Sequence, residues 1–156
     1  MKEKTIITYG TFDLFHVGHL RLLKRLSELG TRLVVGISSD DFNSLKGKKS
    51  FFSESERCEI VSAISYVDEV FLENSWEQKP SDIHKYSADV FAIGDDWEGK
   101  FDSLKEYCEV IYLPRTKEIS TSDIKNELSS FNSHKITEIE ESISAMLDII
   151  KSIKSA

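Results

Sequence analysis

Apolar residues fall along this chain in five short, mostly β-branched or aromatic runs: Thr5–Tyr9, Leu33–Ile37, Val67–Leu72, Val90–Ile93 and Val110–Leu113. Between them the spacing turns helical, as in Leu20-Arg21-Leu22-Leu23-Lys24-Arg25-Leu26. Near-continuous apolar strands separated by helical stretches predict a parallel sheet covered on both faces. The fold class is therefore α/β, a Rossmann-like doubly wound five-stranded parallel sheet, in which ligands bind beyond the carboxyl ends of the strands. Ser53-Glu54-Ser55-Glu56 has the form of a capping box and opens a helix through Ile64; Ser120-Thr121-Ser122-Asp123 has the same form and opens one near Ile124–Leu128.

The tail has a different pattern. Ile136, Ile139, Ile143, Met146, Leu147, Ile150 and Ile153 recur at threes and fours, which predicts an added C-terminal amphipathic helix of about five turns. Phe131-Asn132-Ser133-His134 is its expected hinge, so the chain divides into a domain over 1–130 and a helical extension over 131–156. The apolar stripe suits packing on its own domain or a homodimer interface.

Composition narrows the partners. The 156 residues are 40% hydrophobic and 30% charged, ordinary for a soluble globular protein, and the net charge of −7 argues against nucleic acid or an anionic membrane as partner. An anionic substrate then depends on where individual lysines and arginines stand. Cys58 and Cys108 have no CxxC neighbour, which reads as two buried free thiols in a reducing cytoplasm. No apolar run approaches the roughly 18 residues of a membrane span, and the N-terminus lacks a signal-peptide core.

The densest chemical signal is Gly10-Thr-Phe-Asp-Leu-Phe-His-Val-Gly-His19, set where the first strand hands over to a helix. Unpaired amides and the positive end of the dipole make such a junction a phosphate site. Gly18 permits close approach, and His16 and His19 add imidazole donors. Four further segments follow the other strands. Lys46-Gly47-Lys48-Lys49 is a mobile cationic arm suited to clamping phosphate. Trp76-Glu77-Gln78-Lys79 offers a lysine to an anionic acceptor. Gly94-Asp95-Asp96-Trp97-Glu98-Gly99-Lys100 pairs a carboxylate, which accepts from an amino group, with an indole that can stack on a base. Arg115 offers a planar fork to phosphate, just before the helix start at Ser120 and Thr121. In a doubly wound sheet all five segments emerge around one cleft.

Gly10 to His19 resembles the Gly-x-Phe-Asp-x-x-His-x-Gly-His signature of the cytidylyltransferase-type nucleotidyltransferases. With the Lys46–Lys49 cluster, Tyr66-Val67-Asp68-Glu69-Val70, Trp76–Lys79, Gly94–Phe101, Tyr112–Thr116 and Ile119-Ser120-Thr121, the chain from about Thr5 to Leu128 resembles the bacterial glycerol-3-phosphate cytidylyltransferase family. The resemblance implies transfer of CMP from CTP to sn-glycerol 3-phosphate with release of pyrophosphate, a divalent cation such as Mg²⁺, a homodimer, and a place in teichoic-acid or capsule-type polymer synthesis. It implies that Thr11 and Phe12 hold CTP through backbone, and that His16, Gly18, His19 and Lys48 meet its phosphates. Lys46 would take the acceptor phosphate or the reacting phosphoryl group, and Lys79 the acceptor. Asp96 would read cytosine, while Arg115, Thr116, Ile119, Ser120 and Thr121 close over the nucleotide. His16, His19, Lys46 and Arg115 are the implied catalytic set. No direct protein ligand to the metal is implied, although Asp13 acts either through a water or by fixing its loop. One departure stands out: the wider family carries arginine where this chain has Ser65, which removes a cation expected near the cleft. That leaves glycerol 2-phosphate or ribitol 5-phosphate as alternative acceptors. ATP-dependent transfer is an alternative because the histidine signature is shared with ATP-using relatives, and a silent nucleotide-binding or assembly module is one that the long tail helix permits.

Overall fold

The computed structural model describes residues 2–115 and 120–155. The chain forms two units, Met1–Glu118 and Ile119–Ala156. In the first, β1 (Thr5–Gly10), β2 (Arg32–Ser38), β3 (Glu69–Glu73), β4 (Val90–Gly94) and β5 (Glu109–Leu113) form one sheet in the order β3-β2-β1-β4-β5. Every pairing is parallel. Helices α1 (Val17–Ser27), α2 (Asp40–Leu45), α3 (Glu54–Ser62) and α4 (Lys79–Lys85) supply the crossovers between the first four strands. The strand order reverses between β1 and β4, so their carboxyl ends, Gly10 and Gly94, flank the switch point where doubly wound sheets bind ligands.

Alternation along the strands builds both layers. Ile6, Leu33, Val35, Val90 and Ala92 face one way and pack with Leu23 and Leu26 of α1 and Val61 of α3. Ile7, Val34, Phe91 and Ile93 face the other way and pack with Ile83 and Tyr86 from α4 and its end, and with Phe101 and Leu104. The double-sided cover expected from the apolar runs is what the chain forms. β3 begins at Glu69 rather than Val67, because Val67 N–H closes a turn onto Ile64 O while the Asp68 carboxylate accepts Leu33 N–H.

That turn also corrects the expectation for Ser65. It lies between α3 and β3, at the amino edge of the sheet, opposite the loops that carry the motifs. An arginine at this position would start from the edge of the sheet away from the motif loops. Both cysteines are free but half-buried rather than fully buried. Burial still pushes both thiols up from the ordinary range, which leaves them poor nucleophiles.

The second unit is one helix, α5 (Thr121–Lys154), of 34 residues. Ser120 is its N-cap, with Ser120 Oγ accepting Asp123 N–H and Asp123 Oδ2 accepting Ser120 N–H, both at 3.1 Å. The expected hinge at Phe131–His134 is absent: the helix runs unbroken through it, and the unit boundary falls between Glu118 and Ile119 rather than at 130. The sequence pattern does break there, for a different reason. Ile124, Leu128 and Phe131 follow one stripe, while Ile136, Ile139 and Ile143 begin another. The five-residue step from Phe131 to Ile136 turns the stripe by about 100° relative to a four-residue step, so the break in pattern marks a change of face and not of direction.

Candidate functional site

The loop from β1 to α1 is built around two histidines that cap the helix. Gly18 N–H donates to His16 Nδ1 at 3.0 Å, and His16 N–H donates to His19 Nδ1 at 3.2 Å. The rings stack with centroids 3.9 Å apart. An Nδ1 that accepts leaves the neutral ring its proton on Nε2, so each imidazole keeps one donor free of the cap. Burial pushes both rings down from the ordinary histidine range. For His19 the value is about 4, through burial first and then the His16 charge. Two neutral, oriented imidazoles thus stand at the N-terminus of α1. The amide of Gly18, expected to serve phosphate, is spent on His16.

The backbone before them is held in unusual conformations. Phe12 (φ 52°) and Leu14 (φ 47°) occupy the left-handed region without being glycine. The Phe12 ring is buried against His19, and a Cβ on Gly10 would come within 2.6 Å of it, so Gly10 cannot be replaced without moving the ring. Buried Asp13 accepts Phe51 N–H at 2.7 Å and Phe52 N–H at 3.0 Å, one on each oxygen. Of its two expected roles, the structure shows the loop-fixing one.

Arg57 is one of the residues that sequence reasoning missed. Its side chain is wholly buried and donates to Thr11 O and Ser38 O at 2.8 Å each, to Phe52 O at 3.1 Å and to Asp40 Oδ1 at 2.8 Å. One guanidinium therefore ties together the loops after β1 and β2 and the entry to α3. The available signal was its i,i+4 spacing to Val61, which puts it on the buried face of α3. The Thr11 carbonyl is consequently occupied, and Thr11 Oγ donates to Asn43 Oδ1 at 3.2 Å.

The lysine cluster is more ordered than the expected mobile arm. Lys46 is the C-cap of α2, Gly47 N–H bonds Ser44 O, and Lys48 N–H bonds Asn43 O, a Schellman arrangement that needs Gly47 at φ 71°. It aims half-buried Lys46 inward: its Nζ donates to Ser38 Oγ at 3.1 Å and lies 4.3 Å from the Phe42 ring centroid and 5.4 Å from that of Trp76. Burial pushes this ammonium down from the ordinary lysine range. Lys48 and Lys49 instead line a hollow of about 360 Å³ together with Phe51 and Phe52.

Lys79, expected to reach outward, is enclosed. It is 2% exposed, its Nζ bonds Glu73 Oε1, and it lies 4.5 Å from the Tyr9 ring centroid and 4.7 Å from that of Trp76. Glu73 Oε2 accepts Ser38 Oγ at 3.2 Å. A continuous polar line therefore runs Lys79–Glu73–Ser38–Lys46 beneath the carboxyl edge. Glu73 and Ser38 became visible only with the register that pairs them across β2 and β3. Beside this line Tyr9 donates to Asp82 at 2.9 Å. Burial and then Asp82 raise the Tyr9 phenol, so it stays protonated.

Across the switch point, Asp96 and Arg115 come together at 3.7 Å, both about three-fifths exposed. Trp97 packs at a tilt within an aromatic cluster, its ring centroid 5.5 Å from that of Trp76 and 5.6 Å from that of Phe101. Thr116 and Ile119 lie outside the described residues. Ser120 and Thr121 belong to the second unit, where the Ser120 hydroxyl is engaged by Asp123. Among the described residues no group of three or more His, Cys, Asp or Glu side chains could hold a metal ion. Nor is any described helix long and apolar enough to cross a membrane.

This arrangement has relatives. The cytidylyltransferase-like family model matches residues 7–127. A glycerol-3-phosphate cytidylyltransferase of Bacillus spizizenii is 59% identical over 127 residues, covering 81% of this chain and 98% of that protein. One of Staphylococcus aureus is 52% identical over 125 residues, covering 80% and 95%. In three dimensions, the lipopolysaccharide core biosynthesis protein of Thermoplasma volcanium superposes with a TM-score of 0.63 at 22% identity, over 76% of this chain and all of that one, which is a likeness of fold. With the family model matching residues 7–127 and identity above one half over four-fifths of its length, the chain belongs to the cytidylyltransferase-like family, on the branch of the glycerol-3-phosphate cytidylyltransferases.

Proposed function

We propose that this protein transfers CMP from CTP to sn-glycerol 3-phosphate, giving CDP-glycerol and pyrophosphate. Identity of 52–59% across nearly the whole length of relatives with that named activity carries the reading. The paired imidazoles give it a mechanism. A phosphate oxygen of the acceptor attacks the α-phosphorus of CTP, a P–O bond forms, and the bond to the β-phosphate breaks, with its electron pair leaving on pyrophosphate. The acceptor dianion is already ionised near pH 7, so no side chain need be a nucleophile. The protein's part is positioning and charge stabilisation.

His16 and His19 supply Nε2–H donors to the triphosphate at the N-terminus of α1. Lys46, held by Ser38, meets the acceptor phosphate or the reacting phosphoryl group, and Lys48 the outer phosphates. Thr11 and Phe12 hold the nucleotide by backbone. Asp96 accepts from the cytosine amino group once Arg115 turns from it to phosphate, and Thr116, Ile119, Ser120 and Thr121 close over the nucleotide. Lys79 serves the acceptor after leaving Glu73, or supports Lys46 from beneath. Mg²⁺ fits as a counter-ion carried by the triphosphate, since the described residues offer no ligand cluster and both Asp13 oxygens bind amides. When bound it neutralises phosphate charge. CDP-glycerol made from cytoplasmic CTP would feed a glycerol-phosphate polymer of the teichoic-acid or capsule type.

The test is pyrophosphate release with Mg²⁺ and CTP or ATP against glycerol 3-phosphate, glycerol 2-phosphate, ribitol 5-phosphate and phosphocholine. CTP with glycerol 3-phosphate is expected to exceed every other combination by at least about tenfold. Faster release with ATP or another acceptor overturns the substrate assignment, and no release with any pair leaves a silent binding module.

A further inference from the structure

α5 outlives the family. The family match ends at residue 127, and a relative covered to 98% by 127 residues has no room for a tail of this length. What the added part carries is a regular seam. Ile136, Ile143 and Ile150 recur every seven residues, and Ile139, Met146 and Ile153 follow each by three. These are the a and d positions of three heptads without a polar interruption. All six are exposed, between 48% and 71%. The outward b, c and f positions are Thr137, Ser144, Lys151, Glu138, Ser152, Glu141, Asp148 and Ser155, with Ala145 the one apolar member.

We propose that residues 135–154 pair with the same segment of another copy of this chain as a parallel, in-register coiled coil. Three observations select that occupant over any other. The seam repeats every 3.5 residues rather than 3.6, which suits a second supercoiled helix. Its charges are self-complementary: in a parallel pair Lys135 at g faces Glu140 of the other copy at e, twice over, and no like charges meet at the remaining e and g positions. An antiparallel pair sets Glu140 against Leu147 instead and loses that ion pair. The area is also sufficient. Side chains of this size bury on the order of 80 Å² each, so six per helix in two copies approach the roughly 1,000 Å² of a specific interface, with Leu147 and Ile149 widening it. Isoleucine at every a position and two d positions also admits a third or fourth strand of the same chain. The association does not depend on the catalytic reading.

Site-specific cross-linking of the full chain tests it, with Cys58 and Cys108 replaced by alanine. Ile139→Cys places like thiols together at a parallel d layer, whereas Glu141→Cys places them on the outer face. Under mild oxidation Ile139→Cys is expected to form an inter-chain disulfide at least about tenfold faster than Glu141→Cys. Adding Ile143→Asp removes that advantage while pyrophosphate release is unchanged. Lys135→Glu slows the cross-link, and Lys135→Glu with Glu140→Lys restores it. Equal rates at the two positions overturn the proposal, as does cross-linking of Ile139→Cys to Ile150→Cys in preference to itself. A parent chain that stays single and floats instead with anionic phospholipid vesicles assigns the stripe to a membrane surface and also overturns it.

Discussion

The two sides of the switch point hold their charges in opposite ways. On the β1–β3 side Arg57, Lys79, Glu73 and Asp13 are buried, and each is bonded to backbone or to an opposite charge. On the β4–β5 side Asp96 and Arg115 meet across 3.7 Å in water. Buried partners fix a geometry before any ligand arrives, because leaving one unpaired costs several kcal/mol. Exposed partners exchange cheaply for a ligand. Under the proposed function the first side would serve as a preorganised seat for phosphates, and the second would rearrange around a nucleotide. Stability and turnover should therefore be coupled on one side and separable on the other.

Arg57→Met probes that coupling hardest. It keeps the bulk of the side chain but leaves the carbonyls of Thr11, Ser38 and Phe52 without their donor. The expected loss is about 3–5 kcal/mol of unfolding free energy, read from urea midpoints at constant m. Turnover should fall with it, since the loops after β1 and β2 lose their shared anchor. Asp40, the half-exposed partner, should cost about 1 kcal/mol or less as Asp40→Asn. A loss below about 1 kcal/mol for Arg57→Met would mean that this side is not held by its buried charges.

Next comes His19→Ala, which removes one Nε2–H donor and the acceptor for His16 N–H. Turnover is expected to drop by about 10²–10³, the usual effect of deleting one preorganised donor to developing charge. His16→Ala should do comparable damage, and the double variant little more, because the two rings cap the same helix as a unit. Near-normal turnover in either variant would remove the imidazoles from the mechanism.

The sequence disclosed these two sides unequally. Strand positions, the parallel sheet and both capping boxes were legible because they depend on local periodicity and on side chains three residues apart. The histidines were legible because they cap the helix that follows them within one turn. Arg57, Ser38 and Glu73 were not, since all but one of Arg57's partners lie 17 to 46 residues away (Phe52 is the near one), and Ser38 and Glu73 are 35 residues apart. Lys79 was legible as a charge but not as a buried one, because its enclosure comes from Tyr9, Trp76 and Phe101 on three separate segments. The hinge expected at Phe131–His134 shows the converse error, where a local pattern change had a cause in how the helix face is used.

A smaller effect follows from the histidines' burial. His19 titrates at about 4 in the folded chain and near 6.5 unfolded. Between those values the unfolded chain takes up a proton that the folded chain refuses. Stability is therefore full above about pH 6.5 and declines as pH falls toward 4. His16, also pushed down by burial, adds in the same direction. The expected decline from His19 is about 1–3 kcal/mol, the lower part of the range reflecting its incomplete burial. Urea midpoints between pH 7 and 4.5 should show it, and His19→Asn should flatten the slope. An unchanged slope would mean that the ring is charged in the folded protein and that the N-terminus of α1 is wetter than its contacts imply.

The smallest effect belongs to the exposed pair, and its size is the point. Two charges 3.7 Å apart and each about three-fifths exposed should couple by no more than about 0.5 kcal/mol in a double-mutant cycle of stability using Asp96→Asn and Arg115→Met. Yet Arg115→Met should slow turnover at least about tenfold, because the guanidinium's fork is then missing where phosphate charge develops. Asp96→Asn should instead raise KM for CTP more than it lowers kcat, since a base contact is made equally in the ground and transition states. On the β1–β3 side no substitution should separate the two readouts this way. If the cycle returned more than about 2 kcal/mol, the pair would be a structural clasp like Arg57, and the nucleotide would have to find its contacts without displacing it.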